Sequence, residues 1–78
     1  MRSKKILSAE EQQKIATVLR EVYAALDEKG YDATAQIWGY IQTQDPTYIT
    51  FYQEARQKIT SLDREDIGRF LLDNFFNK

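Results

Sequence analysis

Residues 28–49 read EKGYDATAQIWGYIQTQDPTYI. This stretch holds two of the three glycines, the only proline, the only tryptophan and three of the five tyrosines. It ends one helix, begins another and turns the chain, and so decides the fold class. Gly30 stands where a chain turns left-handed to leave a helix. Lys29 before it places a cation at the negative end of that helix. Asp32 is the cap of a second helix, in which Ala33, Ile37, Tyr40 and Ile41 recur at helical spacing over 33–43. That helix must stop before Pro46, which disfavours helical geometry at the preceding residue. Asp45-Pro46 then starts a turn: the aspartate bonds back to the chain and the proline pre-sets φ. Gly39 costs about 1 kcal/mol against alanine inside a helix. Its presence predicts that another backbone passes close by.

Upstream, Ser8-Ala9-Glu10-Glu11 reads as a capping box. Ile15, Val18, Leu19, Val22, Tyr23 and Leu26 follow in an arc of roughly 140°, a core-facing stripe. The first helix is expected over 9–29. Downstream, Tyr48, Tyr52, Ala55, Ile59 and Leu62 predict a third helix over about 48–60, or one entered properly only after Thr50. Ser61 or Asp63 can cap a fourth, over about 63–76. No segment alternates long enough to argue for a strand. The expected fold is all-α: a compact bundle of about four short helices. Residues 1–8 form a flexible tail and residues 9–78 a single helical domain.

The fourth helix breaks the one-sided pattern. Ile67, Phe70, Leu71, Leu72, Phe75 and Phe76 spread over roughly 240°, more than one core-facing stripe needs. A chain of 78 residues buries only roughly 60% of its unfolded surface. With no cysteine and no histidine, neither a disulfide nor the usual zinc site can supplement that core. A homodimer is expected, with Leu72 and Phe76 on the shared surface.

Composition argues against catalysis. Without histidine there is no base beside a serine nucleophile. Ser3 beside Lys4 or Lys5 lies at a terminus expected to fray. Asp63, Glu65 and Asp66 read as a negative first turn that complements a helix dipole. No phosphate-binding glycine loop is present. We expect no enzyme, no cofactor and no bound metal. No apolar run approaches the roughly 20 residues of a membrane span. Only Ile6-Leu7 follows the basic start, too little for a secretory leader. The expected location is the cytoplasm, with no membrane association.

Arg2, Lys4 and Lys5 are three of the 11 basic residues, and without them the net charge falls from −1 to −4. That is a poor footprint for nucleic acid, and no nucleic-acid partner is expected. A small helix-turn-helix DNA-binding protein remains the alternative reading. Arg56, Lys58, Arg64 and Arg69 alternate with acidic residues, as on a solvated surface. The functional alternative makes Arg56 and Arg64 a docking face for acidic groups on a partner protein. Tyr31, Trp38, Tyr40 and Tyr48 read as core with hydroxyls at the rim, rather than as a ligand-binding cluster.

A resemblance sharpens this picture. Lys29-Gly30-Tyr31, Gln36-Ile37, Gly39-Tyr40, Asp45-Pro46 and Tyr48-Ile49 resemble the IreB/ReoM family signature, approximately EKGYNPxNQIVGYLxSGDPxYI. The likeness continues through Ala55-Arg56, Ile59, Leu62, Arg64 and Ile67, and back into VYAALDEKGY. The resemblance implies a small, helical, homodimeric and non-catalytic cytosolic protein. Such regulators act downstream of a membrane Ser/Thr kinase in Firmicutes. They influence peptidoglycan synthesis and cephalosporin resistance through proteolytic turnover of a cell-wall precursor enzyme. In the family a tail threonine is phosphorylated. Here the tail, MRSKKILS, has no threonine, so Ser3 becomes the candidate phosphoacceptor and Ser8 the helix cap. Asn-Pro of the signature becomes Asp32-Ala33, and the family arginine after Ile59 becomes Thr60.

Overall fold

Ser8 opens the first helix, α1 (Ala9–Glu28), through a complete capping box. The Glu11 amide donates to Ser8 Oγ at 3.1 Å, and the Ser8 amide donates to Glu11 Oε1 at 2.9 Å. Three further α-helices follow in a computed structural model that describes residues 6–76: α2 (Ala33–Thr43), α3 (Ala55–Thr60) and α4 (Arg64–Phe76). Two short 3-10 turns, Pro46–Tyr48 and Tyr52–Glu54, lie between α2 and α3. No strand occurs among the described residues. α1 is the spine, and α2, α3 and α4 each pack against it.

The end of α1 follows the expectation. Gly30 has φ +88°. The Tyr31 amide donates to the Leu26 carbonyl and the Gly30 amide to the Asp27 carbonyl, both at 3.0 Å. This paired pattern is a Schellman motif, which needs a left-handed residue at Gly30. Asp32 then caps α2 by accepting the Ala35 amide at 3.0 Å. One turn of chain thus reverses direction with its exposed amides and carbonyls bonded.

The core is a single layer of apolar side chains from every helix. Val22, Leu26, Ile49, Ile59 and Ile67 are its largest fully enclosed members. Leu7, just before the cap, is buried with them. Its carbonyl accepts from Gln12 Nε2 at 3.1 Å. Residues 1–5 of the expected tail, with Ser3, lie outside the described residues.

The third helix departs most from expectation. A continuous helix over 48–60 does not form. Ile49 is extended and fully buried between the two 3-10 turns. The chain then reverses through Gln53 and Glu54, with φ of 49° and 61°. Only from Ala55 does α3 run. A regular helix would have turned Ile49 about 100° away from Tyr48. Burying Ile49 wins because a full isoleucine side chain contributes about 1.5–3 kcal/mol. Two left-handed residues at about 1–2 kcal/mol each take back a comparable amount, and the return of Ala55 and Ile59 into the core adds to the gain.

Gly39 is buried, and its neighbour is a ring rather than the backbone the sequence suggested. A methyl group at Gly39 would overlap Tyr48 Cδ1 and lie 2.8 Å from Cε1. The Tyr48 ring therefore seats on the bare face of α2. The expected aromatic core is corrected as well: Tyr40 is buried, whereas Tyr31, Trp38 and Tyr48 are exposed.

Gly39→Ala should lower unfolding stability by about 1–3 kcal/mol through overpacking. In a Tyr48→Ala background the same change should be neutral or stabilising by about 1 kcal/mol, the helix-propensity gain. Urea denaturation of the four chains measures both. An equal loss in both backgrounds would refute the Tyr48 seat.

Candidate functional site

Two surfaces stand out: the connection that holds the predicted docking arginines, and the outer face of α4. In the connection, Thr43, Asp45 and Thr47 lock the exit of α2. Gln44 adopts the left-handed conformation, and its amide donates to the Tyr40 carbonyl at 2.8 Å. Thr43 Oγ1 donates to the Gly39 carbonyl and accepts the Asp45 amide. Asp45 Oδ1 accepts the Thr47 amide at 3.0 Å and the Thr47 hydroxyl at 2.6 Å. The Thr47 hydroxyl and amide hold the Asp45 carboxyl below the usual aspartate range, with a smaller contribution from the charge of Arg56. Gln36 reaches across from α2 and accepts the Thr50 amide at 3.3 Å.

Both arginines bond to backbone carbonyls. Arg56 Nε donates to the Ile49 carbonyl at 2.8 Å, and its guanidinium lies 3.6 Å from the centre of the Phe51 ring. Arg56 therefore braces the buried Ile49 from outside and stacks on an exposed aromatic. Arg64 begins α4, where a positive charge opposes the local helix dipole. Its NH1 donates to the Ile41 carbonyl at 3.0 Å and approaches the Gln42 carbonyl at 3.5 Å. Those carbonyls end α2, the negative pole of that helix, so the guanidinium links two helix ends of opposite polarity. Lys29, expected to serve the end of its own helix, instead places its Nζ 5.1 Å over the Tyr52 ring. The Arg64 and Lys29 contacts each join residues 23 positions apart, and charge alternation gives no sign of any of these contacts.

The outer face of α4 carries the predicted dimer residues. Within this helix only Ile67 is fully buried. Leu72 is 60% exposed, Phe75 71% and Phe76 74%. The rings of Phe75 and Phe76 meet edge to face at 5.0 Å. Leu71 continues this surface into an apolar groove of about 310 Å³ with Leu19, Tyr23, Ile37, Trp38 and Ile41. The groove runs where α1, α2 and α4 converge. Trp38, 57% exposed, forms one wall and was read from sequence as core. Ile37, Tyr40 and Ile41 already fill the inner face of α2; that no other segment covers Trp38 did not follow from spacing.

The acidic residues Asp63, Glu65 and Asp66 serve the start of α4. Asp63 Oδ1 accepts the Glu65 amide at 2.8 Å, and the Asp63 carbonyl accepts the Ile67 amide at 3.0 Å. Among the described residues, no group of three or more His, Cys, Asp or Glu side chains is arranged to hold a metal ion. No described helix is long and apolar enough to cross a membrane.

Two outcomes follow from these contacts. Arg64→Ala should cost about 1.5–3 kcal/mol in urea unfolding, the usual range for a hydrogen bond to a charged group; an unchanged midpoint would refute the helix-end link. Asp45 titrates lower in the folded chain than in the unfolded one. Its contribution is therefore complete above the ordinary aspartate pKa of about 3.9 and is lost as pH falls through the folded value. Thermal melts between about pH 5 and pH 2 should show a smaller acid loss for Asp45→Asn than for the parent chain.

The spacing of Gly30, Tyr31, Gln36, Gly39, Tyr40, Asp45, Pro46 and Tyr48 now has a common geometric basis. These residues end α1, receive Thr50, seat Tyr48 and lock the turn that buries Ile49. A family model for the IreB regulatory phosphoprotein matches residues 3–77, nearly the whole chain, and the chain belongs to the IreB family.

Proposed function

We propose that this protein is a non-enzymatic regulator that works by binding other proteins. It acts in the cytoplasm as a homodimer under the control of a Ser/Thr kinase. The observation that carries this reading is the uncovered apolar face of α4. Leu72, Phe75 and Phe76 project past a core that is already filled by Ile67. An apolar surface of this kind on a small domain marks a contact site. A second copy is the occupant we assign to it, because a domain of this size gains most from extending its limited core. Leu72 and Phe76 lie on the dimer surface, and Arg56 and Arg64 face the partner. Membership of a regulatory phosphoprotein family supports control by phosphorylation, with Ser3 the tail acceptor. The process regulated is peptidoglycan synthesis, with an effect on cephalosporin resistance. The direct partner is a cell-wall precursor enzyme or the protease system that removes it.

Light scattering of the purified chain at micromolar concentration should give twice the monomer mass, and Leu72→Glu with Phe76→Glu should give the monomer mass. A monomer from the parent chain would overturn the dimer. Affinity capture from a Gram-positive lysate should recover a cell-wall precursor enzyme or a protease adaptor. Recovery of neither would overturn the proposed pathway.

A further inference from the structure

We propose that Thr47 is a second phosphoacceptor, and that a phosphate there opens the turn that seats Tyr48 and buries Ile49. The proposal rests on the regulatory-phosphoprotein reading and adds a site within the folded domain.

A kinase takes its acceptor hydroxyl from a segment that can lie extended in its cleft. Thr17, Thr34, Thr43 and Thr60 lie inside α-helices, which would have to unwind. Thr50 is half-buried, and its hydroxyl accepts the Tyr52 amide at 3.4 Å. Ser61 keeps helical backbone geometry as the C-cap of α3, with its hydroxyl donating to the Lys58 carbonyl at 2.6 Å. Thr47 meets the requirement. It is exposed and sits in a three-residue turn flanked by extended Asp45 and Ile49. Two backbone hydrogen bonds hold that turn: Tyr48 amide to Asp45 carbonyl at 3.1 Å, and Ile49 amide to Pro46 carbonyl at 3.0 Å.

The chemistry is phosphoryl transfer from ATP. The γ-phosphoryl group forms a bond to Thr47 Oγ1, its bond to ADP breaks, ADP leaves, and the hydroxyl proton passes to a base of the kinase. The consequence follows from one contact. Thr47 Oγ1 now donates to Asp45 Oδ1 at 2.6 Å. A phosphothreonine has lost that proton and sets about 1.5–2 negative charges against the carboxylate. Asp45 must swing away, and it then also releases the Thr47 amide it holds at 3.0 Å. The next residue is Tyr48, so the ring loses its seat on Gly39.

The test uses the full chain with ATP and the catalytic domain of the host's membrane Ser/Thr kinase, with sites mapped by tandem mass spectrometry. Phosphate on Thr47, absent from Thr47→Ala, is the expected result. Phosphate on Ser3 or Ser8 alone overturns the Thr47 site and leaves the regulatory reading standing; phosphate nowhere removes both. A chain carrying phosphothreonine at position 47 provides the second measurement. Amide exchange over 45–52 should rise by about tenfold or more while α1 stays protected. Unchanged exchange, or loss of protection throughout the chain, would overturn the opening of the turn.

Discussion

The Tyr48 ring lying on Gly39 is the contact on which the rest of the architecture depends. It exists because α2 lacks one side chain at one position. With the ring seated there, the backbone after Tyr48 is aimed inward and Ile49 enters the core. The chain must then reverse within a few residues to bring Ala55 and Ile59 back to α1. It does so through two left-handed residues, Gln53 and Glu54. Arg56 returns from α3 to hold the Ile49 carbonyl, which closes the loop on itself. Each of these steps presupposes the one before it.

The same economy of size shapes the surface. Four short helices around one layer of core leave little room for a fully enclosed fourth helix. Ile67 fills the available space, and the second half of α4 extends past it with its aromatic residues outward. Polar groups near this region stabilise the domain from its edges. Arg64 ties the start of α4 to the end of α2, and Asp63 caps the same turn. Helix-end chemistry at Arg64 thus adjoins the apolar surface, since Arg64 and Leu72 line the same cavity. That arrangement suits recognition, in which a stable frame presents an uncovered face to another molecule.

The connection between α2 and α3 is where the proposed phosphate at Thr47 would meet the contacts that hold the fold. Asp45 and Thr47 are bonded there, beside the seat of Tyr48, and the charge of Arg56 from α3 acts on the same carboxylate. Added charge at this point acts on the contact from which the fold is built. The capping box of α1 lies at the far end of that helix, whereas its last turn touches the connection, through Glu28 to Gln53 and Lys29 over the Tyr52 ring.

The helix ends were legible in the sequence because their causes are local. Ser8 and Glu11 lie three residues apart, Gly30 follows its own helix, and Asp32 reaches only to Ala35. Such signals survive without knowledge of what packs against what. The outward spread of α4 was legible as well, because its apolar residues cover more of the helix than one core face needs. The break in the third helix was not. Its helical spacing is genuine, but the burial of Ile49 overrides it, and that burial depends on a vacancy at Gly39 in another helix. Trp38 and the two arginines escaped in the same way. Whether an aromatic is covered, or which carbonyl a guanidinium finds, is set by residues many positions away. By itself the sequence determined where helices begin and end, because backbone hydrogen bonds at those points close over a few residues. Only the tertiary structure decided which side chains are enclosed and which remain outward, because enclosure is a property of several segments meeting at once.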